Sequence, residues 1–299
     1  MDRLGAMAQF VRVVEAGSFS AAARILGLGQ PAISKAIAQL EHRLGVRLFF
    51  RTTRALSLTD AGKIYYDRAK AALDAAEEAE AAAKGAGAAL TGRLRVCAPV
   101  TLARIQIVPA LRGFMTLHPG LELELILDDR RVNLVEEGID VAIRAGALDD
   151  TSMVAQRLAR SERRIVATPE FWAAHTEIRR PADLAALPFV SYGVERPDVE
   201  WNFSRKGETE KVRFSSRLKL SALEGVRAAI FAGMGFGVLS DWASRDALLS
   251  GRIERRLQGF ALPAIDLWAV FPAGRQPAAR ARAFADHVGA IAKISGAGN

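Results

Sequence analysis

A chain of 299 residues has length for about two domains, or one large one. Its 50% apolar and 25% charged residues match ordinary globular composition, which excludes a disordered, collagen-like or fibrous chain. The single cysteine, Cys97, excludes an intrachain disulfide and any cysteine-built metal cluster from this chain alone, while a net charge of +8 favours a polyanionic partner.

The basic excess is local. Residues 1–60 carry eight basic side chains against four acidic ones, whereas residues 61–84 carry four against five. Arg12 and Glu15 interrupt the apolar run that a secretory signal needs, and no stretch reaches the roughly 20 uncharged residues of a membrane span. The expectation is a soluble cytoplasmic protein with no membrane partner.

Leu4, Met7, Phe10, Val11 and Val14 fall on one face of a first helix, which Gly17 stops. Ser18 or Ser20 then caps a short second helix through Ala21, Ala22, Ile25 and Leu26. Gly27 and Gly29 permit a tight turn, and a third helix opens at Pro31 with Ile33, Ile37, Leu40 and Leu44 as its apolar stripe. Three short helices with a glycine turn make a helix-turn-helix pattern. Beyond Gly45, the runs Val46–Phe49 and Leu56–Leu58 flank the basic tip Arg51-Thr52-Thr53-Arg54, a hairpin or wing. Thr59 caps a long helix whose stripe of mostly small residues, including Tyr65, Ala69, Ala72, Ala76 and Ala79, has nearly heptad spacing and argues for a close helix–helix contact. That helix ends at a hinge, Lys84-Gly85-Ala86-Gly87.

From Arg93 onward, strand-like runs (94–98, 121–127, 140–143, 164–168, 189–192, 236–239, 267–271) alternate with helix-like runs (102–117, 222–231, 278–294). This alternation predicts α/β layers with largely parallel sheet, long enough for two lobes.

Six segments of the N-terminal part (10–23, 30–37, 40–41, 44–49, 51–54 and 58–62) together resemble the DNA-binding domain of LysR-type transcriptional regulators. The resemblance implies a bacterial regulator of α/β fold class: a winged helix-turn-helix domain (1–58), a linker helix and hinge used in dimerisation (59–90), and a two-lobed, periplasmic-binding-protein-like type 2 effector domain (91–299). Lobe I is expected at about 91–163 and 268–299, and lobe II at about 164–267. It further implies promoter DNA as partner, self-association to a dimer or tetramer, and a small-molecule effector, an anion being one candidate, in the cleft between lobes. No enzymatic activity and no cofactor are implied.

In such a fold the second helix of the motif lies in the major groove. Gln30 pairs bidentately with adenine, Ser34 reaches a base or phosphate, and Lys35 reaches guanine or phosphate. Ser20, Pro31 and Thr52 belong to the same expected surface, and Arg51 and Arg54 suit phosphate contact or a narrow minor groove. The family usually has serine where Gly29 stands, so a capping or phosphate contact is not expected there. For the effector, Val100 and Thr101 follow the first strand at a helix start. By resemblance, Arg144, Gly146, Tyr192, Ser221, Ala222 and Phe271 fall around the same cleft. Relatives carry a polar pair near Ser221 and Ala222 that this chain lacks.

Other signals point away from chemistry. Gly233 to Gly237 precede a strand, unlike a dinucleotide fingerprint. Cys97 reads as a buried thiol, the four histidines show no ligand spacing, Asp128-Asp129 and Asp149-Asp150 read as turn or surface acids, and no nucleophile–base set is visible. The alternative reading is a small-molecule-binding protein or enzyme with an accessory basic domain.

Overall fold

The computed structural model describes residues 2–50, 56–84, 89–148, 153–175, 178–193, 198–273 and 277–296. The chain divides into two compact units, Met1–Leu90 with Gly274–Ala279, and Thr91–Ala273 with Arg280–Asn299.

The first unit holds α1 (Arg3–Ala16), α2 (Phe19–Leu26), α3 (Gln30–Leu44) and α4 (Asp60–Lys84). Asp2 accepts from the Gly5 N–H (3.0 Å) and Ser18 from that of Ala21 (3.1 Å), so each oxygen satisfies a helix-start donor that has no partner within the helix. The first three helices each close on a glycine in the left-handed region. Phe10, Val13, Ala22, Ile33, Leu40 and Leu48 are fully buried, and the Phe10 ring meets Phe49 and Tyr65, each at 5.3 Å. Leu4 and Leu44, at helix ends, stay exposed. The two strand-like runs after Gly45 reduce to one antiparallel bridge, Phe49 with Leu58, and a Phe50 N–H to Ser57 carbonyl bond of 3.0 Å. The tip residues Arg51, Thr52 and Arg54 lie outside the described residues, as do Gly85 to Ala88 and Asp149-Asp150.

Thr59 starts α4 as expected: its hydroxyl oxygen accepts from Gly62 N–H (2.9 Å), and its own N–H donates to the Leu48 carbonyl (3.0 Å). A Cβ on Gly62 would sit 2.1 Å from that carbonyl oxygen, so only glycine lets α4 dock on the segment before the hairpin. The small-residue stripe of α4 is corrected at Ala69. Ala69 is fully buried in the helix-turn-helix core and leaves no surface for a partner chain, whereas Tyr65 packs edge-on against Phe10 and stays partly exposed. Ala72 and Ala76 are partly exposed and Ala79 is exposed.

In the second unit, β1 (Thr91–Ala98), β2 (Gly120–Leu127), β3 (Val141–Ala145), β4 (Val154–Ser161) and β12 (Ile265–Phe271) form one sheet in the order β2-β1-β3-β12-β4. Between β1 and β2 runs a helix made of α5 (Val100–Leu102), a π-helical turn (Ala103–Ile107) and α6 (Val108–Leu117). A second sheet orders β11 (Glu254–Arg256), β5 (Arg163–Ala167) and β10 (Gly237–Ser240). A parallel Phe189–Phe236 bridge joins β10 to the pair β6 (Val190–Tyr192) and β9 (Leu218–Leu220). Gly235 makes this join possible, since a Cβ there would meet the Pro188 carbonyl oxygen at 2.5 Å. α7 (Pro169–Ala173), a 3-10 turn (Pro181–Ala186), α8 (Leu223–Phe231) and α9 (Asp241–Leu249) surround this sheet, beside the hairpin of β7 (Asp198–Arg205) and β8 (Glu208–Ser215). α10 (Ala279–Gly296) closes the chain, and the Trp242 indole of α9 donates to its Ala292 carbonyl (3.0 Å).

Largely parallel sheet is a second correction. Of the strand pairs, β1–β2, β1–β3 and β6–β9 are parallel, while β3–β12, β4–β12, β5–β10, β5–β11 and β7–β8 are antiparallel. The late strand β12 re-enters the first sheet from the opposite direction, which local periodicity does not encode. The two sheets are linked where β4 passes into β5 at 161–163 and where the chain returns at 263–265.

Candidate nucleic-acid interface and ligand cavity

On α3, Ile33, Ile37 and Leu40 anchor the helix in the core, which turns Gln30, Pro31, Ser34 and Lys35 together toward solvent. Exposed Ser20 on α2 donates its hydroxyl to the Gln30 side-chain oxygen (3.1 Å), joining two of the expected contact residues across the glycine turn. Gly29 caps α3 without a side-chain bond, since glycine has no oxygen to offer, and Pro31 in the first turn removes a donor that would lack a partner. This face combines an amide, a hydroxyl and an ammonium on a rigid helix, the donors and acceptors that read base edges and phosphates.

Glu41, on the inner side of α3, holds the following segment. Its carboxylate accepts from Leu48 N–H (2.7 Å), Phe49 N–H (3.2 Å) and the Arg47 guanidinium (2.8 Å). Burial alone would raise its pKa, but the Arg47 bond and the two backbone N–H groups outweigh it, holding the carboxyl below its ordinary range.

In the second unit, a cavity of about 440 Å³ opens between the two sheets. Cys97, Asp129, Ala142, Arg144 and Val270 line it from the first sheet and its loops, Phe189, Ser191, Tyr192 and Val238 from the second and the strands joined to it, and Trp201 from the β7–β8 hairpin. Arg163, where the chain crosses between sheets, donates to the carbonyls of Pro263 (2.8 Å) and Ala264 (3.4 Å) and lies over the Trp201 ring at 5.3 Å. Burial pulls its pKa down, and no carboxylate among the described residues pairs with it. Burial, reinforced by Asp129, pushes the Tyr192 phenol up. Burial also raises the Cys97 thiol, helped by Asp128, so the thiol is held neutral, as the buried reading expects.

Of the residues expected around the effector, Arg144 and Tyr192 line this cavity. The others do not, for identifiable reasons. Thr101 is fully buried and its hydroxyl donates to Glu224 (3.1 Å), a carboxylate that also pairs with Arg104 (3.0 Å). The Val100 N–H donates to the Asp129 carboxylate (3.0 Å). Gly146 gives its N–H to the Asp266 carbonyl and takes the Trp268 indole N–H on its own carbonyl, so its backbone is committed to β12. Phe271 is a buried core residue of β12. Ser221 is exposed outside the cavity, and Ala222 caps α8 with no side-chain bond. The missing cap comes instead from Asp129, whose second oxygen accepts from the Leu223 N–H (3.2 Å). One carboxylate thus serves the starts of both α5 and α8. The sequence reads Asp129 as a turn or surface acid and gives no signal for Arg163, Ser191 and Trp201, since their juxtaposition depends on strands far apart in the chain.

Among the described residues, no cluster of three or more histidine, cysteine or carboxylate side chains has metal-binding geometry, and no helix is long and apolar enough to cross a membrane. Residues 4–63 match the family described as bacterial regulatory helix-turn-helix protein, lysR family, and residues 87–292 match the LysR substrate binding domain. The chain is 37% identical over 290 residues to a helix-turn-helix-type transcriptional repressor of Pseudomonas aeruginosa, covering 96% of this chain and 92% of that protein. Among solved structures, it is similar to CrgA, a LysR-type regulator from Neisseria meningitidis (28% identity, TM-score 0.59, 98% of both chains). It is also similar to the Vibrio cholerae virulence activator AphB (26% identity, TM-score 0.56, 96% of this chain and 98% of that one).

Proposed function

Since the chain belongs to the LysR family of transcriptional regulators, we propose that it binds promoter DNA as a homo-oligomer in the cytoplasm and changes its hold on that DNA when a small molecule enters the cavity between its two sheets. The observation that carries this reading is the solvent-facing set Gln30, Ser34 and Lys35 on a helix whose opposite face is locked into the core. The chain is a regulator and not an enzyme. Its working parts are a winged helix-turn-helix domain at 1–58, a linker helix and hinge at 59–90 and an effector domain at 91–299, with lobes parting near 163 and 267. Self-association uses Ala72, Ala76 and Ala79 on the outer half of α4, and the wing residues Arg51, Thr52 and Arg54 contact the DNA backbone.

Ligand binding shifts such a protein only by its difference in affinity between two lobe arrangements. The test is fluorescence anisotropy of the full chain on the intergenic DNA upstream of its own gene and on scrambled DNA, over a salt series. Affinity about a thousandfold higher for the upstream DNA supports the reading; equal affinity for both refutes it.

A further inference from the structure

The cavity has a chemical asymmetry that defines its ligand. Arg163 contributes a part-buried guanidinium whose partners are two carbonyl oxygens and a ring face, with no carboxylate among the described residues to balance its charge. A desolvated charge is normally paired. Two more polar groups in the same walls lack partners: the hydroxyl of Ser191, a residue only 1% exposed, and the indole N–H of Trp201. By strand register Arg163 stands opposite Ser240, which also lines the cavity. These groups present hydrogen-bond donors, and the surroundings contributed by Phe189, Val199 and Val238 are apolar. The other place where an anion would settle, between the starts of α5 and α8, is already filled by the Asp129 carboxylate, which takes both the Val100 and the Leu223 N–H.

From this arrangement we propose that the cavity binds a monocarboxylic acid with an aromatic or similarly compact apolar body, its carboxylate held by Arg163 with Ser191 and Trp201. Asp129 already takes the second anion position, at the starts of α5 and α8, so the ligand needs one carboxylate only, even though Arg130, Arg131 and Arg144 also line the cavity. The volume, about 440 Å³, is in the range of about 300–1,000 Å³ usual for small-molecule sites. The proposal rests on the effector reading above and narrows it to one ligand class.

The experiment titrates the full chain with benzoate, 3-phenylpropanoate, the two corresponding primary amides, and phenyl phosphate, by calorimetry at millimolar ligand. At least one acid binds about tenfold or more tightly than its amide and than phenyl phosphate, the margin expected of one charge-assisted contact. Arg163→Gln removes that margin, Arg163→Lys, which keeps the charge, restores part of it, and Trp201→Phe, which keeps the ring but loses the N–H, weakens the acid more than its amide. Circular dichroism melts accompany each variant, and the lysine variant separates loss of charge from loss of fold. No binding by either acid, acids no tighter than amides, or an acid affinity indifferent to Arg163→Gln overturns the proposal. Wild-type preference for upstream DNA is measured in parallel: its absence counts against the regulator reading, whereas its presence with any of those three outcomes counts against the carboxylate alone.

Discussion

Replacing Glu41 by alanine tests how the segment after α3 is held. The side chain is 10% exposed and serves three donors, Leu48 N–H, Phe49 N–H and Arg47. Alanine leaves two buried backbone donors without an acceptor, at about 1–3 kcal/mol each. The Arg47 side chain is 56% exposed, so screening limits its share to about 1 kcal/mol or less. With water entering the vacated space, the net loss is about 2–4 kcal/mol. Glutamine keeps an acceptor for the amides but loses the charge, so it costs about half as much. The pH dependence follows from the lowered carboxyl pKa. Stability from Glu41 is fully present above its unfolded value near 4.5 and is lost as pH falls through the lower folded value. Glu41→Gln therefore removes this acid sensitivity as well. Hydrogen exchange at Leu48 and Phe49 in the full chain reads the local opening free energy. An opening energy within about 0.5 kcal/mol of wild type in Glu41→Ala would refute the reasoning.

Four further substitutions have defined outcomes. Gly62→Ala drives a Cβ to 2.1 Å from the Leu48 carbonyl oxygen, so the α4 start shifts and stability falls by about 1–3 kcal/mol despite alanine's better helix propensity; a thermal melt at or above wild type contradicts the close approach. Ala76→Glu weakens self-association in sedimentation while Tyr65→Phe leaves it unchanged, since the Tyr65 ring packs on Phe10; the reverse result returns Tyr65 to the partner interface. Thr101→Val costs about 1 kcal/mol for the lost bond to Glu224 but leaves ligand affinity within threefold or so, inside the usual scatter of a site not touched; abolished binding would place Thr101 in the ligand site.

The first unit was legible because its information is local. Ser18, Thr59 and the stopping glycines act within a turn or two of themselves, and the stripe of Ile33, Ile37 and Leu40 follows from helical period alone. Ala69 misled because the same spacing serves a contact within the chain as well as one between chains. In the second unit, β7 and β8 carried a readable signal that was passed over: Val199, Trp201 and Phe203 alternate, as do Val212 and Phe214, around a turn at Lys206-Gly207. Both turn residues take positive φ, 52° and 87°, as a two-residue hairpin loop requires. β4 has an exposed first half and no such alternation. The role of Asp129 had no local signal at all, because the two N–H groups it joins lie 123 residues apart, as do Thr101 and Glu224 in the adjacent bond.

The central claim, that the exposed face of α3 reads DNA sequence, is tested most directly by Gln30→Ala on a panel of upstream DNA fragments, each altered at one base pair. The variant loses discrimination at one adenine-containing position, by about 1–3 kcal/mol, and keeps it elsewhere. A variant whose affinity and base preferences match wild type at every position would contradict the claim.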